Sequence, residues 1–259
     1  MDDENSAGEA SEQGRRRWRR MGLARSEGSP AGYQRWSDLL FLHWRVDPDM
    51  VQATLPRGLR VDSFDGSAWL GIVAFFMERI RPAFLIPLPW LSWFLELNLR
   101  TYVVDASGRP GVWFYSLDCN QPLAVWIGRR GFHLPYFHSR MRARRNGGTI
   151  VYHSARRGSG REATAEYVWR APAAYAPAEP GSLAFFLVER YRLFSVDELG
   201  RLWTGQVRHA PYRVGSPAVK SVSLEPALAA GFHLEGGLAS ALAASRVDVE
   251  IFGLKTAEH

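Results

Sequence analysis

Cysteine and lysine are almost missing from this chain. One cysteine, Cys119, in 259 residues excludes an internal disulfide framework and a cysteine-rich zinc site. Lys220 and Lys255 are the only lysines, so 30 of the 32 basic residues are arginine. A reaction that needs an amine nucleophile therefore has two side chains to draw on. No apolar run reaches the roughly 20 residues of a membrane-spanning helix. The chain does not open with a charged segment leading into an apolar core, as a Sec leader would, so a cytoplasmic location is expected. It has no Walker loop, no Gly-x-Ser-x-Gly elbow and no His-Glu-x-x-His pair. Gly158-x-Gly160-x-x-Ala163 imitates a dinucleotide fingerprint, but it falls between two strand-like runs instead of between a strand and a helix. No cofactor is expected, and no internal period suggests a repeat array.

Apolar and aromatic residues are abundant: 46% of the chain is hydrophobic, with 14 Phe, 10 Trp and 9 Tyr, ample for a large core. The net charge of +6 does not form a block, because the arginines are spread along strands among acids, and no specific nucleic-acid partner is expected. Residues 1–32 are rich in Glu, Ser, Gly, Ala and Arg and read as a disordered tail. Its Arg15–Arg20 cluster is offset by Asp2, Asp3, Glu4, Glu9, Glu12 and Glu27. The body, residues 33–255, shows no internal boundary and reads as one domain.

Alternating patterns and turn residues place many strands in that body. Asp38–Val46 is strand-like, and Asp47-Pro48 opens a short helix that ends at Leu55-Pro56. Asp65-Gly66 is a hairpin signal before the apolar run Ser67–Ile80. Ala83–Leu95 is apolar but broken by prolines, and reads as a loop packed on or rimming a pocket, with an interfacial membrane contact as the alternative. Phe94–Val103 and Val112–Leu117 are strands, and a helix with Pro122 in its first turn, capped by Asp118 or Asn120, runs into Arg129–Gly131. Asn146-Gly147-Gly148 turns into Thr149–Arg156 and then Arg161–Arg170, whose Glu162 and Glu166 are placed to pair with Arg142 or Arg144. Pro172–Pro180 is a linker, and Gly181–Glu189 a short helix. Strands follow at Tyr191–Ser195, Leu202–His209, Val219–Leu224 and Val247–Phe252. About ten strands joined by short turns, with a few helical inserts, predict a mainly β (α+β) fold, a large antiparallel barrel or cone.

Two stretches look chemical. Gly128–Arg145 passes from a helix end through a proline corner into a strand that puts Tyr136, His138, Arg140 and Arg142 on one face. His133, Tyr136 and His138 crowd the corner. His133 and His138 with His153 or His209 would make a metal site, but the spacing fits no standard pattern and no metal is expected. On Phe94–Val103, Glu96, Asn98, Arg100 and Tyr102 share a face. Alternation alone fits the solvent side of a half-buried strand. It also fits the inside of a barrel, where Glu96 is an acid or base and Arg100 holds a carboxylate bidentately.

Ordered motifs carry a family resemblance. Trp36–Arg45, Leu55-Pro56-x-Gly58-Leu59, Asp65-Gly66-x-Ala68-Trp69-Leu70-Gly71 and Glu96–Val103 resemble the YqjF-like domain of unknown function, DUF2071. So do Gly111–Asp118, the Leu134-Pro135-Tyr136 corner, Glu189–Leu193, His209-x-Pro211-Tyr212 and Ser245-x-Val247-Asp248-Val249. That family is similar to the acetoacetate decarboxylase-like superfamily, which implies a closed antiparallel β-cone around an apolar cavity, and makes self-association into a homo-oligomer an expectation. Acetoacetate decarboxylases carry a Gly-Phe-Pro-Lys-Lys segment whose first lysine forms a Schiff base with the keto acid. Here the matching corner is Gly131–Phe137, and Tyr136 stands in the lysine's position; Glu96 looks like the family's cavity glutamate. A phenol forms no imine, so Schiff-base decarboxylation is excluded from the expectations.

The resulting expectation is a cavity binding a small, partly apolar carbonyl or carboxylate compound. Glu96, His133 and Tyr136 would be the acid/base residues and Arg100, Asn98 and His138 the substrate-binding ones, in a decarboxylase, lyase or hydratase type of step. The alternatives are a non-catalytic binding or sensing module, and a structural protein whose aromatic side chains fill the cone.

Overall fold

A computed structural model describes residues 28–158, 160 and 162–257; the arginine-rich part of the expected tail lies outside these. In chain order the elements are β1 (Gly32–Val46), α1 (Pro48–Gln52), β2 (Leu59–Val61), β3 (Ala68–Pro82), β4 (Phe94–Asp105), β5 (Pro110–Cys119) and α2 (Pro122–Phe132). There follow β6 (Tyr136–Asn146), β7 (Thr149–Arg156), β8 (Ala163–Arg170), β9 (Ala176–Pro177), α3 (Leu183–Val188), β10 (Arg192–Val196) and β11 (Leu202–His209). The last are β12 (Arg213–Gly215), β13 (Ala218–Ser221), α4 (Glu225–Leu228), β14 (Ser240–Ile251) and β15 (Lys255–Thr256).

The sheet closes on itself. Neighbours run β5-β10-β11-β14-β1-β3-β4, and β4 pairs back onto β5, which completes the ring of the expected cone. The ring is not wholly antiparallel: β5 runs parallel to both β10 and β6. After its short pairing with β5, β6 leaves the ring and carries β7, β8 and β13 with it as a second layer.

Two cores result, one on each side of the ring wall. Leu39, Phe41, Val73, Phe75 and Tyr102 face inward, while Leu40, Leu42, Leu97 and Leu99 face outward. The outward set is buried because Met141, Ile150, Tyr152, Tyr167 and Trp169 of the second layer cover it. Both faces of β1 and β3 are therefore apolar over long stretches, which is why β3 reads as a continuous hydrophobic run. The Tyr152 hydroxyl donates to the Glu96 carbonyl at 2.8 Å, pinning the second layer to β4 behind the polar face of that strand.

Several local expectations are corrected. The N-cap of α2 is Gln121, whose Oε1 accepts from the Leu123 amide at 3.1 Å. Asp118 is instead the buried partner of Arg156, at 3.0 Å, and Asn120 accepts from the Leu95 amide at 2.8 Å. Glu166 lies opposite His153, not an arginine, because β7 sits between β6 and β8. The last long strand starts at Ser240, not Val247: its Ala-rich beginning has weak strand propensity, but Ala243 and Ala244 are buried where β1 and β12 flank them.

Candidate functional site

β4 is the polar rib of the cone. Glu96, Asn98 and Arg100 project inward and line a cavity of about 420 Å³, with walls formed by Trp36, Phe41, Phe75 and Phe114 among other apolar side chains. The solvent-facing reading of this strand face is overturned: Glu96 and Asn98 are buried. From Glu96 to Arg100 the rib covers about 13 Å at ordinary strand spacing.

Tyr136 comes to Glu96 from the corner after α2. That helix ends on His133, a non-glycine residue at φ +51°, whose amide bonds back to the Gly128 carbonyl. The left-handed residue turns the chain sharply, Leu134-Pro135 crosses the gap, and Tyr136 enters β6 beside Leu117 of β5. Its hydroxyl donates to Glu96 Oε2 at 2.9 Å. The ring lies flat against α2 at Gly128, where a β-carbon would stand 2.3 Å from Cδ2 and 2.4 Å from Cε2. Glycine is needed there for close approach, not for an unusual dihedral angle.

Electrostatics sharpen the pair. Burial pushes the Glu96 carboxyl up to about 7, against the lowering effect of hydrogen bonds from Tyr136 and Asn98. Burial, and then the charge of Glu96, push the Tyr136 phenol well above its ordinary value. Near neutral pH the glutamate therefore exchanges its proton readily while the tyrosine stays a neutral donor. Cys119, beside Glu96 on β5, is buried and its thiol is also pushed up, which leaves it a poor nucleophile.

Two buried polar atoms on the rib have no partner in the structure, Asn98 Oδ1 and Arg100 Nε. The Arg100 guanidinium is held by Nη2 donating to the Leu187 carbonyl at 3.0 Å. Below it, the Tyr102 hydroxyl donates to the same carbonyl at 2.9 Å and faces His43 Nε2 at 2.8 Å. His43 must then donate through Nε2, which leaves Nδ1 as a bare acceptor, in keeping with its lack of a partner. Burial, followed by the nearby Arg100 charge, holds the His43 imidazole well below its usual value, so it is neutral.

The other expected site residues lie elsewhere. His133 packs its ring on Trp203, 5.6 Å between centroids, and lines a separate depression with Arg129, Asp197 and Glu198. His138 is exposed, at the last position where β6 still pairs with β5. His153 pairs with Glu166, and His209 lies between Tyr191 and Tyr212. Among the described residues no group of three or more His, Cys, Asp or Glu is placed to hold a metal ion. Lys220 and Lys255 sit at exposed positions and neither lines the cavity. Sequence reasoning missed His43, Arg190, Arg192 and Tyr212; the last three line the cavity from α3–β12. For His43 the signal was present: it continues the inward alternation of Leu39 and Phe41.

Known proteins bear on this geometry. The solved structures of similar fold include the enduracididine biosynthesis enzyme MppR complexed with pyruvate, at 16% identity and a TM-score of 0.60 over 90% of this chain and 93% of that one. They also include acetoacetate decarboxylase from Legionella pneumophila, at 12% identity and a TM-score of 0.60 over 93% and 94%. A third is an acetoacetate decarboxylase-like enzyme from Sphingomonas wittichii RW1, at 17% identity and a TM-score of 0.59 over 89% and 94%. At these identities the likeness establishes the fold, which is acetoacetate decarboxylase-like. In sequence, the chain is 39% identical over 179 residues to the uncharacterized protein YqjF of Bacillus subtilis (strain 168), covering 69% of this chain and 73% of that protein. DUF2071, described as an uncharacterized conserved protein, matches residues 33–248. This chain belongs to the DUF2071 family.

Proposed function

We propose that the cavity binds a small, partly apolar keto acid or related carbonyl compound, and that Glu96 and Tyr136 act on it as a proton-transfer pair without a covalent intermediate. The observation that carries this reading is the 2.9 Å contact between a phenol that keeps its proton and a buried carboxyl poised near 7, inside an apolar cavity. Arg100, with its unpartnered buried Nε, anchors the carboxylate of the ligand, and the Asn98 side chain meets a donor on it. With Glu96 ionised, it takes the proton from carbon next to the carbonyl, and the electron pair moves onto the carbonyl oxygen, where the Tyr136 hydroxyl supports the developing charge. In the reverse sense, protonated Glu96 delivers a proton to the carbanion left when carbon dioxide or another group departs. Similarity of fold to a protein complexed with pyruvate supports the ligand class. Among the described residues that line the cavity none is a lysine, which favours a second reading, a module that binds or senses the same ligand without turning it over.

Incubation with a panel of β-keto and 2-keto acids tests this, with Glu96→Gln and Tyr136→Phe as controls. Turnover is expected to fall about 10²–10⁴-fold in Glu96→Gln, and by less in Tyr136→Phe. Turnover indifferent to both substitutions refutes the site. Borohydride trapping of substrate on Lys220 or Lys255 refutes the non-covalent route. Calorimetric binding that depends on Arg100, without turnover, selects the second reading.

A further inference from the structure

The mouth of the cavity is ringed by apolar side chains that face water. On the loop between β3 and β4, Phe84 is 84% exposed, Ile86 75% and Trp90 89%; on α2, Trp126 is 62% exposed. Leu85 and Ile86 of the loop and Ile127 of the helix also line the cavity, so the collar is continuous with the inner wall. Gln121 Nε2 donates to the Trp90 carbonyl at 2.7 Å and fastens the loop to the start of α2. Surface side chains of this size standing together mark a place where something else belongs.

Charge says what that is. Arg79 and Arg81 stand where the loop begins, and Arg129 and Arg130 near the end of α2. Residues 79–95 and 119–146 contain no Asp or Glu. Of the acids next to these stretches, Glu78 accepts from Ser37 and Arg145, Glu96 is inside the cavity, and Asp118 is paired with Arg156. On the side of Arg129, Asp197 is engaged by Arg201 and Glu198 lies beside it. Asp248 and Glu250, which share a depression with Arg79 and Arg81, are paired with Arg35 and Arg208. Arg81 donates to the Leu85 carbonyl, which steadies the loop without neutralising the cation. Indole and branched apolar tips surrounded by arginines fit a bilayer interface, with rings at headgroup depth and guanidinium groups on lipid phosphates. A second copy fits less well, because a two-fold contact through this collar sets the arginines of one chain against those of the other.

We propose that the collar docks on an anionic lipid surface, so that the cavity opens onto the bilayer instead of onto water. No helix of the described residues is long and apolar enough to cross a membrane, and none is required, since docking is peripheral. The inference does not depend on the chemistry assigned to Glu96 and Tyr136.

Sedimentation of the full chain with vesicles tests it, comparing phosphatidylcholine alone with phosphatidylcholine containing about one-third phosphatidylglycerol. Binding to the anionic vesicles is expected, with a blue shift of tryptophan emission and weakening by added salt. Trp90→Ser with Trp126→Ser is expected to weaken partitioning about tenfold or more, and Arg79→Glu with Arg130→Glu about tenfold. Thermal melts confirm that the variants are folded, and residues 1–32 are identical in all of them and cancel from the comparison. No binding to either vesicle, or binding unchanged in the tryptophan double variant, overturns the proposal. So does light scattering that finds a stable oligomer dissociated by the same two substitutions, which assigns the collar to a second copy.

Discussion

Replacing Gly128 by alanine should destabilise this protein although it improves a helix. In an exposed helix interior, glycine to alanine gains about 1 kcal/mol. Gly128 is buried, and its added methyl would sit 2.3–2.4 Å from two ring carbons of Tyr136. Carbon atoms prefer about 3.5–4.0 Å, so ring and helix must separate by more than an ångström. The ring cannot slide freely, because its hydroxyl is bonded to Glu96 at 2.9 Å. Overpacking of this kind costs about 1–3 kcal/mol, and breaking a hydrogen bond to a buried acidic group adds about 1–3 more. After the helix gain, a net loss of about 1–5 kcal/mol remains, or roughly 2–4 °C in Tm for each kcal/mol at this chain length. The assay is a thermal melt of Gly128→Ala, Tyr136→Leu and the double variant. In the cycle, the alanine should be harmful beside tyrosine and neutral or helpful beside leucine. A Gly128→Ala protein that melts higher than the parent refutes the reasoning.

Three further outcomes follow from the buried charges. Glu96→Gln should flatten stability against pH. The folded carboxyl, raised from 4.5 to about 7, holds its proton more tightly than the unfolded one, so its contribution is complete below about 4.5 and is lost as pH rises towards 7. Roughly 3 kcal/mol is at stake, read from urea midpoints across that window; equal slopes in parent and variant would contradict it. His209 works in the opposite sense: burial lowers it from 6.5 to about 4, so its contribution is present above 6.5 and is lost as pH falls towards 4. His209→Gln should reduce acid sensitivity in that range, and an unchanged acid midpoint would count against it. Asp118→Asn should cost about 3–5 kcal/mol, because Arg156, 1% exposed, loses its carboxylate partner at 3.0 Å. A denaturant midpoint within error of the parent would remove that ion pair from the account.

How much of this was legible before the fold was known depends on the faces of each strand. The alternation of Glu96, Asn98 and Arg100 was plain, but its direction was not, because a polar face that lines a cavity alternates with an apolar one just as a solvent-facing polar face does. The second layer over Leu97 and Leu99 settles it, and that layer comes from residues more than forty positions downstream. The helix end and strand start on either side of the corner after α2 were legible, yet periodicity grouped Tyr136 with His138. That grouping assumes a strand with one constant environment. β6 changes environment after a few residues, from ring to second layer, so the same face is cavity at Tyr136 and solvent at His138. The two parallel pairings of β5 were invisible because nothing local encodes which distant strands meet.

The least conspicuous residue explains the most about the site. A lysine at the corner would offer a thin, flexible stem, and helix α2 could carry any small or medium side chain beside it. A phenol is a flat plate, and seating it with its hydroxyl on Glu96 requires a slot with no side chain on the facing helix turn. Gly128, eight residues before Tyr136 and otherwise unfavourable in a helix, is that slot. Seating a phenol where an amine could stand is therefore not a matter of one position. It involves the helix that packs over it, the raised carboxyl beneath it and the left-handed His133 that aims it. A Tyr136→Lys chain should accordingly leave a gap along Gly128 and an amine whose charge faces Glu96. That environment favours the protonated form, so the substitution alone should not create a Schiff-base nucleophile. Borohydride trapping of a keto acid on Lys at position 136 in that variant, at a rate matching its turnover, would show this argument to be wrong.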